Sequence, residues 1–384
     1  MAALISFITW LYLIFCRGYY WVSGPWLEKV KGEDAQLKLK KLPKVSIIIP
    51  ARNEESSIEA CLNSLLNQDY KGFYNIILVD DESEDATSAI AKVVPDPQKR
   101  LTIIKGAKRP DGWSGKLWAV YQGQKKAFEI IENEDFVFLT DADIVHAPDH
   151  ISSLVTKAEK NHLDLVSEMV MLNCTAFWEK LLVPAFVYFF ALLYPFRKIA
   201  DQQSSIAGAA GGTVLLRCEK LKAIGGIESL RQALIDDCTL GAYVKKAGGR
   251  LYLGMSRQAW SVREYNKLGD IWHMIARNAY VQLQFSPLRL LLAILGMSLI
   301  WIVPLMCFFF GKKKTRWVGG TVYAISCASF IPTIRWFNLS IWRVLPLPFV
   351  ASFYMLATLG SAMQHYRGSG VTWRGRSYER KNNG

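Results

Sequence analysis

At 384 residues, with 51% apolar, 12% aromatic and 21% charged residues, the chain is too greasy for a purely soluble enzyme and too charged to lie wholly in a bilayer. A net charge of +13 favours an anionic partner, but with neither zinc-finger spacing nor an Arg-rich recognition helix, nucleic acid is not the partner expected. Seven scattered cysteines without a C-x-x-C pair exclude a disulfide framework or a cysteine-built metal site, and suit a domain that faces the cytosol.

Residues 1–16 carry no charge and lead into Arg17, without the basic start and small-residue cleavage site of a secretory signal. They are expected to form an uncleaved anchor extending to about residues 21–22. Lys29, Lys31, Lys38, Lys40, Lys41 and Lys44 follow, placing the next domain on the cytosolic side.

From residue 44 short β-rich runs alternate with amphipathic stretches. Strands are expected at 44–50, 75–80, 100–105 and 136–140, and helices at 54–67, 83–94 and 116–131. In the first of these helices Ile58, Cys61, Leu62, Leu65 and Leu66 share one face. This alternation predicts a parallel sheet with helices on both faces and a ligand site beyond the carboxyl ends of its strands. Polar residues do cluster there: Arg52, Asn53 and Glu54 after the first strand, Asp80, Asp81, Glu82 and Asp85 after the second, Asp141 and Asp143 after the fourth.

Further along, the apolar stretch 181–196 has only 16 residues and two prolines, Pro184 and Pro195, fitting a buried core helix or one lying in the headgroups. Segments 290–310, 317–334 and 344–363 are charge-free and long enough, or nearly so, to span. Lys312, Lys313, Lys314 and Arg316 call for the inside, as do Arg367, Arg374, Arg376, Arg380 and Lys381. Three simple spans after a cytosolic domain cannot satisfy both groups. Segment 317–334, with Gly319, Gly320 and Pro332, is the weakest of the three.

Several of these residues suit chemistry. Strand alternation sends Asp141 and Asp143 to one side, and two carboxylates without His or Cys suit a hard cation, Mg²⁺ or Mn²⁺, that can hold a diphosphate. The same pair could instead cap the next element. Asp80 and Asp81 stand where a carboxylate can read a base or ribose, although Ser83 or Asp85 could simply cap a helix there. Gly112-Trp113-Ser114-Gly115-Lys116 is no P-loop, yet a loop before a helix lets backbone N–H groups and Lys116 meet phosphate. Asp236 and Asp237 open a helix after the glycine-rich run 208–212, as caps or as a general base for an acceptor hydroxyl.

Together, SIIIPARNEE, IILVDDESEDAT, GWSGKLWA, FLTDADIVHAPD, GAAGGTVLLRCEKLKAIGG and IDDCTLG resemble, in order, the family-2 glycosyltransferases of the GT-A fold, over roughly residues 44–285. With the flanking apolar segments and the tail GSGVTWRGRSY, the chain is similar to the hopanoid-associated branch, related to carotenoid and ceramide glycosyltransferases. The resemblance implies an α/β, Rossmann-like nucleotide-diphospho-sugar transferase domain at 44–285, with an interfacial helix near 178–196. Around it would lie an N-terminal anchor at 1–24, a C-terminal membrane region at 287–366 and a basic cytosolic tail at 367–384.

The resemblance also implies roles. Pro50, Glu54, Asp80 and Asp81 would line the nucleotide pocket, Lys116 would approach the donor, and Asp141 and Asp143 would hold metal and diphosphate. Asp237, paired with Asp236, would be the base of a single inverting displacement without a covalent intermediate. The family's Q-x-x-R-W motif is reduced to Arg277, a candidate phosphate contact, which favours one-sugar transfer over polymer synthesis. The expected activity is transfer from a UDP-sugar to a hopanoid, polyisoprenoid or sphingolipid-like hydroxyl by a multi-pass protein of the inner (plasma) membrane. A processive polysaccharide synthase and a catalytically silent membrane scaffold are the alternatives.

Overall fold

Val45–Ala51 (β1) is buried at all seven positions, as a β-branched run between two layers requires. In this computed structural model, which describes residues 1–29, 41–367, 372–373 and 376–377, β1 is a central strand of an eight-stranded sheet. On one side it pairs in parallel with Tyr74–Asp80 (β2), bringing Pro50 opposite Val79, and β2 pairs in parallel with Leu101–Lys105 (β3). On its other side it pairs in parallel with Phe136–Thr140 (β4).

Alternate residues of these strands face opposite layers. Ile47, Ile49, Ile76, Leu78, Phe136 and Phe138 join a core with Cys61, Leu62 and Leu65 of helix Ile58–Leu66 and with Leu154, Val155 and Ala158 of helix His150–Lys160. On the opposite face helix Gly115–Ala127 comes so close that a Cβ at Gly123 would collide with the Ile48 side chain. Glycine is required there by proximity.

Beyond β4 the parallel pattern ends. The remaining strands are Ile144–His146 (β5), Leu165–Met171 (β6), Thr213–Arg217 (β7) and Leu251–Ser261 (β8), giving the order β3-β2-β1-β4-β7-β6-β8-β5. Strand β7 runs antiparallel to both β4 and β6, β6 and β8 are parallel, and β5 is antiparallel to β8. The sheet is therefore mixed, not parallel throughout. Only residues 141–143 separate β4 from β5, far too few for a parallel crossover, so β5 pairs at the far edge.

Helix Asp236–Lys246 carries Lys245 in its last turn, whose Nζ donates to the carbonyls of Ile199 (2.9 Å), Asp201 (2.9 Å) and Ile206 (2.7 Å). Near its middle, a Cβ on Gly241 would lie 2.7 Å from the Gly208 carbonyl carbon and 2.9 Å from its oxygen. Backbone packs on backbone here.

The chain divides into two units. The sheet unit comprises Pro25–Leu172 and Ile199–Arg263 with the segment from Thr372, and the other unit comprises Met1–Gly24, Asn173–Lys198 and Glu264–Val371. The second unit is helical, and several of its interior polar groups are paired. Tyr20 and Tyr188 hydroxyls lie 3.1 Å apart, Tyr188 meets Ser329 at 2.7 Å, and Trp10 Nε1 donates to the Ile300 carbonyl at 2.9 Å.

Among the described residues three helical stretches, Phe177–Ala200, Pro287–Phe310 and Lys313–Trp336, are long and apolar enough to cross a membrane. On Pro287–Met297 no residue is buried, and Leu288, Leu291, Leu292 and Leu295 are exposed, a surface suited to acyl chains. Most of the stretch 181–196 thus lies in helix Phe177–Leu193, which contains Pro184, with a break before helix Phe196–Ala200, and the segment taken as weakest, 317–334, lies in an unbroken 24-residue helix. The first helix differs in the other direction. Ala2–Phe15 has 14 residues, about 21 Å of helix against a core of about 30 Å, and Gly18 and Tyr19 at positive φ end it before residues 21–22. The basic tail expected at 367–384 lies almost wholly outside the described residues.

Candidate active site

Because β2 and β3 lie on one side of β1 and β4 on the other, the sheet has a switch point between the carboxyl ends of β1 and β4. An open cleft lies there. Pro50 comes from the end of β1, Asp141 from just past β4, Lys116 from the start of helix Gly115–Ala127, Gly211 from the glycine-rich run, and Asp236 and Asp237 from the first turn of helix Asp236–Lys246. Ile227, Leu230 and Leu240 form an apolar wall.

Each charged group is held by local structure. Ser114 caps the Lys116 helix, its Oγ accepting from the Leu117 N–H at 3.1 Å. Lys116 Nζ stands 2.8 Å from Asp141 Oδ1 and 3.4 Å from Asp236 Oδ2, so one ammonium joins two acids brought from distant parts of the chain. Asp237 Oδ2 accepts the Gly211 N–H at 2.8 Å and Oδ1 accepts the Cys238 N–H at 2.7 Å. A side chain at Gly211 would crowd that carboxylate, with a Cβ 3.1 Å from Oδ2.

The electrostatics follow from this crowding. Burial, then the neighbouring Asp236 charge, pushes the Asp237 carboxyl up to about 6, against the pull of Lys116 and the two N–H groups. Burial also raises Asp141, opposed by Lys116 and aided by Asp143. Lys116 is held above its usual value because the attraction of Asp141 and Asp236 outweighs its burial.

A second cluster sits at Arg263, just after β8. Its Nε donates to Asp143 Oδ2 at 2.6 Å, and one terminal nitrogen donates to Glu54 at 2.9 and 3.2 Å. Ser261 Oγ adds a 3.3 Å contact to Asp143. A third set of bonds joins the loops after β1 and β2. Arg52 donates to the Asp81 and Glu82 carbonyls at 2.6 and 2.7 Å, and Asn53, at positive φ, accepts the Glu84 N–H at 2.9 Å.

Of the residues singled out in the sequence, Pro50, Lys116, Asp141, Asp236 and Asp237 share the cleft. Glu54 and Asp143 meet at Arg263. Asp80 ends β2, with its carboxylate accepting the Ser83 N–H at 3.0 Å, and Asp81 is fully buried beside it. Arg277 is exposed on helix Leu268–Gln282 of the helical unit. Arg263 was missed. It follows a strand the periodicity had not located, and the rule that ligand-facing polar residues follow strand ends would have found it once β8 was known.

Among the described residues no three His, Cys, Asp or Glu side chains are arranged as a metal cage. Asp141 nevertheless fits a hard cation: a carboxylate about a third exposed, in a cleft and already bound to a positive group. Mg²⁺ in particular needs only one or two protein carboxylates when substrate phosphates complete its shell.

Residues 46–225 match the family model Glycosyl transferase family 2. It is 34% identical over 119 residues to the UDP-N-acetylglucosamine--dolichyl-phosphate N-acetylglucosaminyltransferase of Methanococcus voltae, covering 29% of this chain and 45% of that one. It is 28% identical over 219 residues to the 4,4'-diaponeurosporenoate glycosyltransferase of Staphylococcus aureus, covering 54% of each. The chain thus spans about half the length of these relatives. The mannosyltransferase PcManGT of Pyrobaculum calidifontis, solved with GDP-Man and Mn²⁺, matches in fold with a TM-score of 0.50 and 16% identity, over 95% of this chain and 99% of that one. The domain is therefore of the GT-A-like α/β glycosyltransferase type.

Proposed function

We propose that the chain is a membrane-bound, inverting glycosyltransferase that moves one sugar from a UDP-sugar to a lipid hydroxyl. The observation that carries this reading is the meeting of Lys116, Asp141, Asp236 and Asp237 in one cleft at the switch point of the sheet.

In this mechanism Lys116 binds the donor diphosphate, moving from its carboxylate partners to phosphate oxygens. A bound divalent ion, held by Asp141 with Asp143 as second ligand, would supply Lewis-acid neutralisation of the leaving diphosphate. Arg263 already compensates the Asp143 charge, so Asp141 is the ligand with the freer approach. Asp237 takes the proton of the acceptor hydroxyl as its oxygen attacks the anomeric carbon and the bond to the diphosphate breaks. A carboxyl raised to about 6 is a stronger base than an ordinary aspartate and is still ionised at neutral pH. Asp236 supplies the repulsion that raises it. Pro50, Glu54, Asp80 and Asp81 are assigned to the nucleotide side.

A lipid acceptor is supported by the three helices long enough to cross a membrane and by relatives named for dolichyl-phosphate and 4,4'-diaponeurosporenoate. Within that class we favour hopanoid, polyisoprenoid or sphingolipid-like alcohols, with the catalytic unit on the cytosolic side of the inner membrane. The test is transfer by the full chain in detergent from UDP-hexoses or GDP-mannose to extracted lipids, followed by mass spectrometry with and without EDTA. Lipid monoglycosides formed only with Mg²⁺ or Mn²⁺ are expected. Transfer undiminished by EDTA removes the metal, and products only on polysaccharide remove the lipid acceptor.

A further inference from the structure

Strand β4 ends on a hydroxyl that belongs to a buried chain of polar groups. Thr140 Oγ1 donates to the Gly212 carbonyl at 2.8 Å and lies 3.1 Å from His146 Nε2. His146 Nδ1 is 2.8 Å from His150 Nδ1, and His150 Nε2 is 2.6 Å from Glu168 Oε2. All four side chains are at most 2% exposed. The chain crosses from β4 through β5 and helix His150–Lys160 to β6.

The protons in this chain can be counted. A threonine hydroxyl has one hydrogen, and a carbonyl can only accept, so Gly212 takes it. His146 Nε2 must then donate to Thr140. Burial and the adjacent His150 push His146 well below the usual imidazole range, so it is neutral and has a single ring proton. Its Nδ1 therefore accepts, and His150 Nδ1 donates. The last link joins His150 Nε2 to Glu168 Oε2. Only one hydrogen-bond direction satisfies every link.

From this we infer that His146 and His150 are positioning residues, fixing the Thr140 hydroxyl so that it grips the Gly212 carbonyl. Thr140 precedes Asp141, and Gly212 follows Gly211, whose N–H holds Asp237. The buried chain thereby locks the strand that delivers the donor-side acid to the segment that orients the base. Its kinetic consequence rests on the transferase reading above; its proton arrangement does not.

The experiment is NMR of the full chain in detergent with ¹⁵N-labelled histidine, beside steady-state kinetics of Thr140→Val and Thr140→Ser. Wild type is expected to show neutral His146 protonated on Nε2. Thr140→Val should shift that nitrogen, and Thr140→Ser should restore it. In kinetics, Thr140→Val should lower kcat about tenfold with donor KM unchanged, and the serine should recover most of the loss. His146 protonated on Nδ1, or equal loss in both variants, would overturn the inference. If the preparation transfers no sugar, the histidine spectrum decides alone: the Nε2–H form upholds the inference and the Nδ1–H form ends it.

Discussion

Lys116 Nζ stands 2.8 Å from Asp141 Oδ1, although the first turn of one helix and the end of a separate strand supply the two groups. That contact makes Lys116 the cation a diphosphate would compete for. Lys116→Met is expected to reduce kcat/KM on the order of 10²-fold, mostly through donor affinity. Calorimetric titration with UDP checks this, and unaltered UDP affinity would take Lys116 out of the donor site.

Asp237→Asn keeps the shape and an oxygen for the Gly211 N–H, so folding should survive. Loss of the base should lower kcat by roughly 10²–10⁴ while UDP binding persists. Thermal unfolding and titration of the same preparation separate loss of chemistry from loss of structure.

The pH dependence carries a definite sign. Asp237 must be ionised to act, so kcat/KM should climb with pH through about 6 and level off above it. Stability runs the other way. The folded carboxyl holds its proton up to about 6 and the unfolded one releases it near about 4, so this group's contribution is lost as pH rises through that interval. In Asp237→Asn both effects should vanish. A wild-type rate independent of pH from 5 to 8 would remove the carboxylate from the rate-limiting proton transfer.

Arg263→Gln leaves Asp143 and Glu54 without their shared cation. With Arg263 about a third exposed and its partners nearly buried, the expected cost is about 1–3 kcal/mol, read by thermal melting. Arg263→Lys, which lacks the forked guanidinium, should recover only part of it.

Gly241→Ala tests the backbone contact of the base-bearing helix. A methyl 2.7 Å from the Gly208 carbonyl carbon must push helix and loop apart, at about 1–3 kcal/mol. Calorimetric unfolding should show the drop, with activity falling as Asp237 shifts.

The four parallel strands and their helices were legible because each carried its own period: Ile47 to Ile49 as an unbroken β-branched run, Ile58 to Leu65 at helical spacing. The rule for strand ends marked Asp141, and the glycine-bearing loop before a helix marked Lys116; the two share one cleft. The half of the sheet beyond β4 was not legible, because pairing β7 antiparallel to β4 is decided by contacts across some 75 residues, Thr140 with Thr213. For the same reason Arg263 could not be matched with Asp143, 120 positions away. The first helix misled differently. An apolar run shows where a helix can form, but this helix stops at Phe15 and the chain turns at Gly18 and Tyr19, both at positive φ.

Lys245 anchors the far end of the helix that carries Asp237. Its ammonium clasps three carbonyls of the 199–206 segment, while Asp237 rides eight residues earlier, about 12 Å along the same rod, with its own bonds to the Gly211 and Cys238 N–H groups. The rod is thus fastened at both ends. Acylating that one amine would erase the charge and the three-carbonyl grip at the end remote from the cleft, without touching any atom that lines it.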